Sequence, residues 1–237
     1  MNDSSPVNIS RMPDQAILLI TAPRQFFRTM PTTGGYGDPI AFMIVMGIAA
    51  AMVQIILNFI GLGHFGMVAM AATGLLSILL LPLMMIVGGF IMAALAYAVW
   101  RFLGSTRDFE TAFRCIAYSA AISPVVALAG VVPYVGGLAH IAWAAFLMFI
   151  ASIETHNVKP ANAKIVFLVL GVFFAVMSVI NEYNARVFQE KAEVLREEML
   201  GLENLEGKTP EEMGEALGEF LKGLEKAANS QQNGDSQ

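Results

Sequence analysis

The residues able to do chemistry are few and widely spaced. The histidines, His64, His140 and His156, fall in different segments without the short spacing that metal ligands need. Cys115 is the single cysteine, so neither an intramolecular disulfide nor a cysteine-held metal cluster can form. It stands among apolar neighbours, where a thiol is inert. No Gly-rich run ends in Lys and Ser or Thr to cradle a phosphate, and no Gly-x-Ser-x-Gly elbow presents a nucleophile. The expectation is a protein with no catalytic residues, no cofactor and no bound metal.

A second set of polar residues stands inside apolar runs. Gln54 and Asn58 are four apart, His140 lies in a later run, and Tyr118 and Ser119 are adjacent in another. Uncharged polar groups at membrane depth have two uses. They line a path for an ion or solute, here Gln54, Asn58 and His140. Alternatively they hydrogen-bond neighbouring helices, at about 0.6 kcal/mol each.

The composition sets the solvent. Of 237 residues, 56% are hydrophobic and 14% charged, against roughly 25% charged for a soluble domain. Too few charges remain to cover a water-facing surface, so the bilayer is the expected surrounding. The charge is uneven. Residues 185–237 hold six Lys or Arg against twelve Asp or Glu, while the preceding part is nearly neutral. An acidic tail repels phosphates, which argues against nucleic acid as a partner. The first fifteen residues are polar, so the expectation is no cleaved secretory signal, the first span serving as its own insertion signal.

The chain divides into a lead-in (1–38), a membrane domain (39–184) and an acidic amphipathic helical tail (185–237). Within the lead-in, 14–30 mixes Ile17, Leu18, Leu19, Phe26 and Phe27 with Arg24 and Arg28. That pattern suits either an amphipathic helix in the membrane interface or a helix packed on the protein's own spans. Turn formers fill 31–38. A helix needs about 20 residues to cross the hydrocarbon, and the expected spans are 39–60, 66–103, 111–132, 134–152 and 164–181. The long run 66–103 reads as one helix, tilted or kinked at Pro82. Its centre is Leu79, Leu80, Leu81, Pro82, Leu83 and Met84, and a turn there would strand backbone groups in lipid. Tyr97 and Trp100 near its end look like interfacial anchors. Gly47 with Ala51, and Gly89 with Ala93, suit close helix approach. The fold class is thus all-α, a five-helix transmembrane bundle.

Loop charges orient it. The segments facing one side carry Arg11, Arg24, Arg28, Arg101, Arg107, Arg114, Lys159 and Lys164; the short loops 61–66 and 130–136 carry none. Positive residues stay cytoplasmic, so the N-terminus is expected inside and the C-terminus outside. In the tail, Phe188, Ala192, Leu195, Met199 and Leu202 form an apolar seam continuing the last span as a helix. Thr209, Pro210, Glu211 and Glu212 form a capping box that opens another helix. The two helices either fold back as a hairpin or self-assemble, and 229–237 reads as disordered.

Several of these residues together resemble the Yip family, membrane proteins named for interacting with Ypt/Rab GTPases. The carriers are Pro23 to Phe27, Gly35 to Pro39, Phe109 to Arg114, and Ala117, Tyr118 and Ser119 with Pro124. The resemblance covers roughly 22–183 and is of a bacterial type. It implies a five-span fold with a cytosolic N-terminus, and it maps the family's recurring motifs onto Asp38 with Pro39 and Tyr118 with Ser119. Phe26, Phe27, Tyr36, Asp38, Pro39, Tyr118, Ser119 and Pro124 become the candidate partner-binding residues. A short lead-in and the acidic tail depart from the family pattern.

The expected function is a non-enzymatic scaffold or adaptor of a cell's inner (plasma) membrane, with lipid, other membrane proteins and further copies of itself in a homo-oligomer as candidate partners. The alternative is a homo-oligomeric channel or transporter for a small solute or ion.

Overall fold

A computed structural model of the chain describes residues 9–62, 67–203 and 218; side chains are described except at 67–75, 190 and 193–203. Among these residues the fold is helical throughout, and five helices are long and apolar enough to cross a membrane. The chain forms two compact units, Met1–Val179 and Ile180–Gln237.

The first unit opens with a 3-10 turn, Ile9–Arg11, followed by α1 (Met12–Thr21) and α2 (Pro23–Thr29). The sequence suggests one helix over 14–30. The break at Ala22 (φ −140°, ψ 61°) is imposed by Pro23, whose ring disfavours helical backbone at the preceding residue. Of the two placements open for this segment, the structure adopts packing on the protein's own spans. Met12, Ala16, Leu19, Phe26, Phe27 and Met30 are all buried in the main core, while Ile17 is exposed.

The first span is α3 (Gly37–Phe59), with Asp38 in its first turn, where a carboxylate suits the helix dipole. Gly61, at φ +76°, closes it. The left-handed backbone there lets the Leu62 amide reach the Leu57 carbonyl at 2.9 Å. Next, α4 (Met67–Phe102) is a single 36-residue helix with Pro82 inside it, as the uninterrupted apolar centre requires. Pro82 and Gly47 mark a close approach of α3 and α4: a Cβ on Gly47 would lie 2.9 Å from Pro82 Cα. Ala51 and Ala93 are fully buried.

The third span is bent. It consists of α5 (Phe109–Ser119), a 3-10 turn (Ala120–Ile122) and α6 (Ser123–Ala129). Pro124 lacks an N–H and its ring crowds the carbonyl four residues back, so the helix tightens ahead of it. The hydroxyl of Ser119 donates to the Cys115 carbonyl at 2.7 Å, a bond that also favours bending. Asp108 caps α5, its carboxylate accepting from the Thr111 amide at 2.9 Å. The Thr111 hydroxyl and amide hold the Asp108 carboxyl below its usual range.

After Tyr134, held at φ 64°, comes α7 (Val135–Glu154), the fourth span. The fifth begins α8 (Pro160–Glu203). Within the first unit α8 buries Ala163 and Phe167 and exposes Leu168, Val169, Val172 and Phe173, a face suited to lipid. In the second unit α8 runs on to Glu203, where Arg186 pairs with Glu182 at 2.6 Å. The expected break at 206–208, the second tail helix and the disordered end at 229–237 lie outside the described residues.

Candidate functional site

The sequence-derived candidates separate into three places. The first is an anchored loop. Arg114, buried on α5, donates through Nη2 to the Gly35 carbonyl at 2.8 Å and through Nη1 to the Pro31 carbonyl at 3.3 Å. Its Nε lies 3.2 Å from Glu110 Oε1, and the same oxygen accepts from the Gly35 amide at 2.7 Å. The spacing predicts only the Glu110–Arg114 pair; the structure adds the loop that both hold. Residues 31–36 are thereby fixed, and Tyr36 rests on the rings of Phe113 (5.3 Å between centroids) and Phe90 (5.9 Å). Asp38 is half-buried and Pro39 buried at the start of α3.

Beside this loop, Tyr118 meets Phe26 at 5.3 Å and Phe42 at 5.1 Å, both edge-on. The residues carrying the family resemblance therefore form two aromatic groups, one around Tyr36 and one around Tyr118. Phe26, Phe27 and Tyr118 are interior packing residues. Ser119 bonds its own helix, and Pro124 is half-buried at the bend.

The second place was not legible in the sequence. Trp100 is fully buried within the protein rather than exposed as an anchor: its indole N–H donates to Ser152 Oγ at 2.7 Å and its ring stacks on His156 at 3.8 Å. Ser152 in turn donates to the Met148 carbonyl at 2.6 Å. His156 Nδ1 lies 2.9 Å from Ser105 Oγ, and its Nε2 faces Cys115 Sγ at 3.9 Å. Burial, with Arg107 as a lesser cause, pushes the His156 imidazole down to about 4. Nearby, the Thr155 hydroxyl donates to the Phe27 carbonyl at 2.9 Å, and Arg28 pairs with Glu154 at 2.9 Å. These bonds fasten the lead-in to the end of α7. Ser105 and His156 come from segments that read as polar loops, and no spacing links them to Trp100.

The third place gathers the intramembrane polar candidates. Gln54 and Asn58 of α3 and His140 of α7 line one cavity of about 370 Å³, together with Ser123 of α6. The remaining wall is apolar, including Leu57, Leu81, Met85 and Val126. Asn58 Oδ1 is buried and has no hydrogen-bond partner among the described residues. No cluster of His, Cys, Asp or Glu able to hold a metal occurs among the described residues.

Together these features define an all-α, multi-pass membrane protein with five apolar helices around a core anchored at one end by polar bonds. The family model described as the Yip1 domain matches residues 17–180, and the chain belongs to that family. No curated protein and no solved structure matches the chain in the corresponding comparisons.

Proposed function

We propose that the protein is a non-enzymatic membrane scaffold or adaptor of the Yip type, working through contacts with lipid and with other membrane proteins, further copies of itself included. The observation that carries this reading is the use of the reactive side chains. Arg114 and Glu110 hold the 31–36 loop, and Cys115 and His156 are buried against one another. What remains outward is a set of contact surfaces: Tyr36 on its braced loop, and the apolar faces of α4 and α8. Placement in a cell's inner membrane, N-terminus cytoplasmic and C-terminus opposite, is part of the same proposal. Its support is the one-sided distribution of Lys and Arg.

A photo-crosslinking residue at position 36, activated in intact membranes, tests the adaptor role. Discrete adducts with membrane proteins, including a self-adduct, are expected. Recovery of uncrosslinked chain alone would count against it. Reporters fused to residue 237, one active only inside the cytoplasm and one only outside, test the orientation.

A second reading, a homo-oligomeric channel or transporter, is favoured by the meeting of Gln54, Asn58 and His140 in one cavity. Solute flux in reconstituted vesicles, abolished by Gln54→Leu, would establish it.

A further inference from the structure

The cavity between α3, α4, α6 and α7 has an ordered chemistry. Gln54 lies five residues before the end of α3, His140 five residues after the start of α7, and Ser123 six before the end of α6. These ends meet around Leu62, Gly130 and Gly136. At 1.5 Å per residue, Gln54, His140 and Ser123 stand roughly 8–9 Å inside these helix ends, while Asn58, one residue before the end of α3, stands about 1.5 Å inside. Polar side chains set in apolar spans are unfavourable where they face lipid.

Lining chemistry narrows the occupant. Among the described residues no Lys, Arg, Asp or Glu lines the cavity, so a phosphate or a bare cation would find no counter-charge from them. Apolar side chains make most of the wall, as in sites that take a hydrophobic body with a small polar head. The unpartnered atom is an acceptor, Asn58 Oδ1, so the occupant must donate a hydrogen bond. A volume of about 370 Å³ accommodates a head and the first part of a chain, not a whole two-chain lipid. We propose that this cavity binds a neutral, hydroxyl-bearing amphiphile of the diacylglycerol class, its hydroxyl on Asn58 beside Gln54 and His140 and one acyl chain along Leu57, Leu81 and Val126. Binding of this kind is independent of the adaptor role; either can fail while the other stands.

The full-length protein in phosphatidylcholine nanodiscs, exposed to a diazirine-bearing diacylglycerol, tests it. Saturable labelling of the peptides holding Leu57, Leu81 and Val126 is expected, with competition by unlabelled diacylglycerol. The same probe with its hydroxyl blocked as a methyl ether labels about tenfold less, as does Asn58→Leu, the equivalent of one lost hydrogen bond to the ligand. Labelling of the lipid-facing stretch around Leu168 and Val172 provides the internal reference and stays unchanged. Ala127→Phe, which takes up cavity volume while leaving every polar lining residue in the sequence, also abolishes the saturable component. Three results would overturn the proposal: labelling at the cavity that never saturates, equal labelling by the methyl ether, or displacement by an isoprenoid quinone in preference to diacylglycerol. The last would mean that the cavity supplies donors and needs none.

Discussion

Arg114 and Gly35 are joined by a 2.8 Å hydrogen bond, Nη2 to carbonyl oxygen, that fixes the approach to the first span from a residue in the third. The guanidinium is buried, each of its three nitrogens donating to Glu110 or to one of two backbone carbonyls. Replacing it by Leu leaves two carbonyls without their donor and Glu110 without its counter-charge. The expected loss of stability is about 3–5 kcal/mol, read from denaturant unfolding of the purified protein. Arg114→Lys recovers only part of it, since an ammonium cannot span both carbonyls and Glu110 as a planar fork does.

Trp100 and Ser152 provide a smaller test. Ser152→Ala removes the acceptor for a buried indole N–H while changing the volume little. An orphaned buried donor costs about 1–3 kcal/mol. Tryptophan emission should shift as unfolding is followed, with a lowered midpoint and an unchanged slope. A midpoint equal to that of the parent would mean that the bond contributes nothing.

Acid should loosen the same region. His156 is held near 4 by burial, against an ordinary value of 6.5, so the folded protein favours the neutral ring. Above pH 6.5 the imidazole is neutral in folded and unfolded chains alike, and its environment imposes no penalty. As pH falls from 6.5 towards 4 the unfolded chain takes up a proton that the folded one refuses, and stability declines. The decline attributable to this group is on the order of 3 kcal/mol. His156→Gln, measured across the same range, should flatten that slope.

Close approach between α3 and α4 gives a steric prediction. A side chain at Gly47 meets the Pro82 backbone and the Met85 sulfur at 2.9–3.0 Å. Gly47→Val therefore separates the helices and costs about 1–3 kcal/mol. A same-size change at Gly88, around which the structure is open, should be mild by comparison in the same unfolding assay.

Much of the architecture was legible because membrane helices obey strong local constraints. The run through Leu79 to Met84 is apolar throughout, with Pro82 as its one helix-breaking residue, and α4 is indeed one helix. Pro23 suits the first turn of a helix, and it opens α2 while forcing the break at Ala22 that ends α1. What escaped was everything depending on distant meetings. His156 and Ser105 sit in segments whose polarity reads as loop, and only the packing of α4 against the end of α7 turns them into an interior network. Likewise, the four-residue spacing of Gln54 and Asn58 signalled a shared face, whereas their meeting with His140 depends on how α7 packs near α3, which no local pattern signals. The lead-in was ambiguous for a physical reason: a helix with Phe and Arg on opposite faces suits lipid and protein equally well, and hydrophobicity alone does not tell them apart.

The fastening of the lead-in has a consequence for biogenesis. Phe27 is gripped by Thr155 and Arg28 by Glu154, partners that lie 128 and 126 positions later in the chain. At about 5–20 residues per second, a ribosome reaches those partners roughly 6–26 seconds after it has made the phenylalanine. During that interval the amphipathic start can rest on the third span through Phe26 and Tyr118, but it lacks these two polar partners. Its fastening to the end of α7 therefore waits until four spans have been made, and truncation before residue 154 removes both bonds.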